Sequence, residues 1–181
     1  MNSNKKSKVV IIDTSAVLSG KPINFDDVII VTAQSVSDEL KPGGKDYQTF
    51  QFLMEKGLKV DSPSRESIVE TRAISTRTGD IGRLSKTDIE ILALALDLSR
   101  EKDKEPVILT DDYSIQNVAN VLNIQFESIS QQGIKKRFKW SYRCRGCGKK
   151  FEEYIKVCPI CGAATKNIIS RNANIKKRDL K

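Results

Sequence analysis

Four cysteines stand as Cys144-Arg-Gly-Cys147 and Cys158-Pro-Ile-Cys161, two pairs ten residues apart, in a chain of 181 residues that has no histidine. Two residues between the members of a pair let a tight turn aim both sulfurs at one ion, and four thiolates complete the tetrahedral shell of Zn²⁺. Gly148 and Gly162, just after each pair, suit the backbone reversal of such knuckles. Two disulfides are the alternative, and nothing suggests secretion. The start, Met-Asn-Ser-Asn-Lys-Lys-Ser-Lys, is followed by only four apolar residues, too few for a signal-peptide core. With every coordination position filled by protein, the expected zinc is a single structural ion, and any reaction lies elsewhere.

The lack of histidine removes Ser-His and Cys-His nucleophile pairs, imidazole acid–base ribonuclease chemistry and a His-ligated catalytic zinc. Gly43-Gly44 and Gly79/Gly82 match neither phosphate-loop pattern. Carboxylate chemistry remains. Asp13 follows the apolar run Lys8–Ile12, and Asp111 and Asp112 follow Val107–Thr110; acids just past buried strands face the crevice where open parallel sheets bind ligands. Asp88 opens a long apolar helix, and Glu39 lies near the end of a shorter one. Each has a plainer explanation: Thr87 and Glu90 form a Thr-x-x-Glu capping box around Asp88, Asp111 or Asp112 caps the next helix, and Glu39 is a solvated charge.

The elements that must position these acids alternate along the chain. Strands are expected at Lys8–Ile12, Val28–Val31, Leu58–Val60, Val107–Thr110 and Ile124–Phe126. Helices are expected at Ala33–Leu40, Tyr47–Lys56, Arg65 to about Arg77, Ser85–Lys102 and Asp112–Leu122. Buried strands alternating with helices imply a parallel sheet covered on both faces, a three-layer α/β/α domain over residues 1–130. The polar stretch Thr76–Lys86 reads as an ordinary linker, with a loop closing over RNA as the alternative. The richest apolar run, Ile89–Leu98, is ten residues long and contains Asp97, so no membrane span is expected and the chain reads as cytoplasmic.

Charge divides the chain at the same place. Residues 1–134 hold 16 Lys/Arg against 20 Asp/Glu, net −4, whereas residues 135–181 hold 15 against 3, net +12. A compact basic module beside a structural zinc site is a footprint of nucleic-acid binding, an idle charged surface being the alternative. The cations expected to meet RNA are Lys135, Lys136, Arg137, Lys139, Arg143, Arg145, Lys149 and Lys150. Phe138, Trp140 and Tyr142 alternate with Lys139, Ser141 and Arg143 at strand period, either as stacking platforms or as the core of a small ribbon. The expected layout is a linker at 131–137, a zinc ribbon at 138–165 and a flexible basic tail at 166–181.

Ile-Ile-Asp-Thr-Ser-Ala at 11–16, Val36-x-x-Glu39-Leu40, Ser85-x-x-Asp88 and Leu-Thr-Asp-Asp-Tyr-Ser at 109–114 together resemble a PIN domain, a family of metal-dependent ribonucleases. Followed by a four-cysteine ribbon, and with Thr-Asp-Asp-Tyr-Ser-Ile-Gln-Asn-Val-Ala at 110–119, the chain resembles the Nob family (Nin-one-binding protein), in a compact archaeal form. The resemblance implies an endonuclease that forms the mature 3′ end of small-subunit ribosomal RNA within pre-small-subunit particles. It places the family's acidic quartet on Asp13, Glu39, Asp88 and the Asp111/Asp112 pair, without deciding between the last two, and makes Thr14, Ser15 and Thr110 supporting hydroxyls. Converging carboxylates with oxygen-only ligands call for one or two Mg²⁺ or Mn²⁺ ions, with 5′-phosphate and 3′-hydroxyl products. Two other readings stand: a toxin-like PIN ribonuclease acting on tRNA or mRNA, and an RNA-binding assembly factor without turnover. A receiver-type phosphotransfer domain is excluded, since position 12 before Asp13 is Ile and Phe126 is followed by Glu-Ser rather than by lysine.

Overall fold

The computed structural model describes residues 6–19, 23, 27–129 and 136–174, with side chains described throughout except at 136–140, 167 and 169–174. The apolar β-branched run forms β1 (Ser7–Ile12), which ends where Asp13 turns its carboxylate to the amide of Ala16 and caps α1 (Thr14–Leu18). Next come β2 (Ile29–Ala33), α2 (Gln34–Glu39), α3 (Lys45–Glu55) and β3 (Lys59–Asp61). Then α4 (Arg65–Thr78) stops at Gly79, whose φ of 85° is the left-handed cap that glycine adopts without a Cβ penalty. The first domain closes with α5 (Lys86–Arg100), β4 (Lys104–Leu109), α6 (Tyr113–Val121) and β5 (Gln125–Glu127).

The five strands pair in parallel in the order β3-β2-β1-β4-β5. Most helix contacts sort into two groups, α1 with α3 and α4, α5 and α6 with one another, while α2 crosses to touch α5. That division follows from right-handed crossovers, because the chain steps outward from β1 in one direction through β2 and β3 and in the other through β4 and β5. The three-layer α/β/α architecture is therefore as the sequence led us to expect. Its core joins Val9, Ile11 and Ile12 of β1 to Val107 and Ile108 of β4 and to one whole side of α5. Ile91 and Leu92 of α5 are 0 % exposed, each worth about 1.5–3 kcal/mol of burial. Among the described residues no helix is long and apolar enough to cross a membrane.

A second, antiparallel sheet holds the cysteines, with strands β6 (Lys136–Cys144), β7 (Lys150–Phe151) and β8 (Thr165–Asn174) in the order β7-β6-β8. Here the expected layout needs correcting. Residues 166–174 are not a flexible tail but strand, because β6 offers a long edge of backbone donors and acceptors that only a distant segment can satisfy. The ribbon's first strand likewise begins at Lys136, inside the stretch expected to be linker. The rest of that linker, 131–135, and the tail end, 175–181, lie outside the described residues. The β6–β8 register skips once: Lys139 pairs with Arg171 and Trp140 with Ile169, leaving Ser170 as a bulge.

Candidate active site and metal centre

Strand order reverses between β1 and β4, the place where an open parallel sheet leaves a crevice at its carboxyl end. Ile12 and Leu109 are paired there, so the next residues, Asp13 and Thr110, meet across the opening. The Thr110 hydroxyl donates to Oδ2 of Asp13, while Oδ1 accepts from the Ser15 hydroxyl at 2.7 Å and the Ala16 amide at 3.0 Å. Thr110 in turn accepts the Asp112 amide at 3.0 Å, and its carbonyl is braced by Gln116 at 2.7 Å. A carboxylate only 3 % exposed is thus held by three donors, as burial of a charge demands.

Two further elements bring acids to this end of the sheet. Glu39, at the last turn of α2, accepts from the Thr14 hydroxyl at 3.1 Å and the Thr87 hydroxyl at 2.5 Å, tying α2 to the starts of α1 and α5. Asp88 sits in the first turn of α5, where its Oδ2 accepts the Ser85 amide at 2.6 Å and its own amide donates to the Ser85 hydroxyl at 3.1 Å. The capping box is therefore Ser85 with Asp88, two residues earlier than the expected Thr87 with Glu90. Thr87 is thereby released for Glu39, a role that sequence reasoning missed. Its only signal was a threonine next to the candidate acid.

Asp111 and Asp112 diverge. Asp112 caps α6 through the Ser114 amide at 2.6 Å, whereas Asp111 accepts from the Ser128 hydroxyl beyond β5. Electrostatics group Asp112 with the others. Asp88 is raised above the ordinary carboxylate range, first by burial, against its Ser85 hydrogen bonds, and further by the charges of Asp112 and Glu39. Asp13 is raised by burial, against its three donors, with Asp88 adding to the rise. Asp88 is thus the acid that feels Asp13, Glu39 and Asp112 alike, while Ser15 and Thr110 hold Asp13 and Thr14 holds Glu39.

A repelling, oxygen-only donor set suits a hard divalent cation. Among the described residues only the four cysteines bring three or more ligand atoms within 4.8 Å of one another. An ion held among the wider-set carboxylates would keep part of its shell as water, as Mg²⁺ commonly does.

At the ribbon, Sγ of Cys144 lies 3.3 Å from Sγ of Cys161, and Sγ of Cys147 lies 3.7 Å from Sγ of Cys158. No disulfide links them, and the spacing is near the edge of about 3.8 Å that Zn–S bonds of about 2.3 Å give a tetrahedron. Cys144 accepts the amides of Gly146 at 3.3 Å and Cys147 at 3.4 Å, and Gly148 and Gly162 turn the knuckles at φ of 73° and 72°. Burial raises the Cys144 thiol, but those amides and its neighbouring sulfurs prevail and hold it at about 6. In Cys147 the Lys149 amide lowers the thiol, but burial and the three other sulfurs push it to about 11.

Of the expected RNA-binding cations, Arg143, Arg145, Lys149 and Lys150 are exposed. Lys135 lies outside the described residues, as do the side chains of Lys136, Arg137 and Lys139. Arg143 is paired across the sheet with Lys150 on one side and Lys166 on the other, a row of three like charges. Arg143, Arg145 and Lys166 also line an open pocket of about 550 Å³ beside Cys144. Like charges directly opposite destabilise a sheet unless an anion lies over them. Tyr142, one of the three aromatics, is fully buried.

Residues 10–98 match the family model described as PIN domain of ribonuclease. Along most of its length the chain is similar to Endoribonuclease Nob1 of Archaeoglobus fulgidus, 40 % identical over 95 % of this chain and 96 % of that protein. It is also similar to Endoribonuclease Nob1 of Pyrococcus abyssi, 35 % identical over 90 % and 94 % of the two chains. Ribonuclease VapC1 of Thermoplasma acidophilum is 39 % identical over 87 % of this chain and 77 % of its own.

Proposed function

Because the chain belongs to the Nob1 endoribonucleases, with a PIN domain as its first unit, we propose that it hydrolyses a phosphodiester in precursor small-subunit ribosomal RNA to form the mature 3′ end, acting in the cytoplasm on pre-small-subunit particles. The observation that carries this reading is the meeting of Asp13, Glu39, Asp88 and Asp112 at the switch point between β1 and β4.

Asp13, Glu39, Asp88 and Asp112 would hold Mg²⁺ or Mn²⁺, which when bound supplies Lewis-acid polarisation of the phosphodiester and neutralises its charge. The chain's own part is preorganisation. Thr110, Ser15 and the Ala16 amide fix the buried Asp13 carboxylate; Thr14 and Thr87 fix Glu39; the helix caps fix Asp88 and Asp112. Water adds to phosphorus and the bond to O3′ breaks, giving a 5′-phosphate and a 3′-hydroxyl, with no part for the 2′-hydroxyl. The four cysteines would hold one structural Zn²⁺ and keep the ribbon folded. An acidic crevice repels RNA, so the ribbon's cations supply affinity and the PIN domain supplies the cut.

The test is incubation with Mn²⁺ and an RNA spanning the mature 3′ end of small-subunit ribosomal RNA, followed by mapping of the ends. A single cut at that end, abolished in Asp13→Asn with RNA binding retained, is the expected result. Binding without any metal-dependent cut identifies an assembly factor instead. The similarity to Ribonuclease VapC1 keeps open a second reading, a ribonuclease with another RNA substrate; if that substrate is tRNA or mRNA, those RNAs are cleaved faster in competition.

A further inference from the structure

Tyr142 belongs to the ribbon strand β6, yet its hydroxyl donates to the carbonyl of Gly79 in the first domain and its side chain is 0 % exposed. Tyr154 closes on the same loop. A Cβ on Gly82 would come within 2.7 Å of Cε2 of Tyr154 and 3.7 Å of Cε1 of Tyr142, so a larger residue there must displace the Tyr154 ring. The two rings meet edge to face, centroids 5.4 Å apart at 77°, the arrangement aromatic pairs favour. Burial first, then the charge of Asp80 and the neighbouring Tyr154, push the Tyr142 phenol up to about 12, so it remains a hydrogen donor at any physiological pH.

The loop under these rings is fastened on its other side to the acid carriers. Asp80, fully buried, accepts from Asn117 of α6 at 2.6 Å, and Nε of Arg83 donates to Ser114 of α6 at 3.1 Å. Ser114 is the residue whose amide Asp112 caps. Two residues after Arg83 comes Ser85, locked in its box with Asp88. The segment from Gly79 to Ser85 therefore lies between the ribbon and two of the four clustered acids. This is neither an ordinary linker nor a free lid.

We propose that the ribbon is a positioning element of the nuclease site: Tyr142 and Tyr154, seated on Gly79–Gly82, hold the loop that fixes Asp88 and Asp112, so the rate of cleavage, and not RNA affinity alone, depends on the docked ribbon. A small displacement of catalytic groups costs about 100-fold in rate, so a loop set loose shows in kcat. The inference rests on the nuclease reading above.

The experiment uses the full chain. Gly82→Val pushes the Tyr154 ring off the loop, and Tyr142→Phe removes only the hydroxyl while keeping the ring packed. With Gly82→Val, kcat falls about 10- to 100-fold while KM, RNA Kd and zinc content stay at wild-type values. Amide hydrogen exchange across residues 80–88 accelerates. Tyr142→Phe moves the same quantities in the same direction by less. Unchanged kcat and unchanged exchange in Gly82→Val overturn the proposal. So does a loss of RNA affinity that accounts for the whole loss of rate, since the ribbon would then be a binder and nothing more. Should the wild-type protein cleave no RNA, the nuclease reading fails by itself, while exchange at 80–88 still reports whether the ribbon braces the loop.

Discussion

Asp111 and Asp112 are neighbours in sequence with different partners in space. The Asp112 carboxylate caps α6 and is felt by Asp88; the Asp111 carboxylate turns to Ser128. Asparagine caps a helix as well as aspartate does, so Asp112→Asn removes the charge and leaves the cap. Its cleavage rate is expected to fall by about 100-fold or more, with Asp111→Asn near wild type, as measured by single-turnover kinetics at saturating Mn²⁺. The sequence located the pair but could not order it. Both acids follow the same strand, and the choice is made by the Thr110 hydroxyl, which takes the Asp112 amide and gives its proton to Asp13. Such a relay depends on backbone directions that residue types do not encode.

Helices α4 and α5 are joined through one acid. Asp97 accepts from the Ser64 amide at 2.6 Å, the Ser64 hydroxyl at 2.8 Å and the Ser67 hydroxyl at 2.6 Å, with Arg100 3.8 Å away. Burial acts to raise its pKa, but these hydrogen bonds and the Arg100 charge prevail and leave it below the ordinary 3.8. A carboxylate depressed by folding stabilises the protein fully above its unfolded pKa and loses that contribution as pH falls through the folded value. Asp97→Ala is therefore expected to lose about 2 kcal/mol at pH 7, and the gap to wild type should close below pH 3.8 in urea unfolding. From the sequence Asp97 was no more than a charge interrupting an apolar run. The five strands of the first sheet and five of its helices were legible within a few residues, because apolar period and glycine or proline stops coincide there. Three elements were not. The five-residue α1 and the two-residue β7 are too short to show a period, and β8 is a polar strand whose reason to exist is a partner distant in sequence.

At the scale of the whole molecule, net −4 in residues 1–134 and net +12 in residues 135–181 are the charge split behind the proposed division between a cutting unit and a gripping unit. Each phosphate neutralised on a single strand contributes about 0.7 to the slope of log K against log salt. Replacing Arg143, Lys150 and Lys166 together by Ala is expected to flatten that slope by about 2, measured by fluorescence anisotropy between 50 and 200 mM salt, with cleavage of saturating RNA intact. An unaltered slope would place the RNA elsewhere. The bulge at Ser170 extends the same logic along the chain. Were the ladder regular from Lys166 onward, Ser170 would stand opposite Lys139 and Arg171 would fall in line with Phe138. One surplus residue instead resets the ladder, so that the backbone of Arg171 comes opposite that of Lys139. A single surplus residue thereby bends the strand and sharpens its twist at that rung, so the gripping unit curves along its length instead of lying flat.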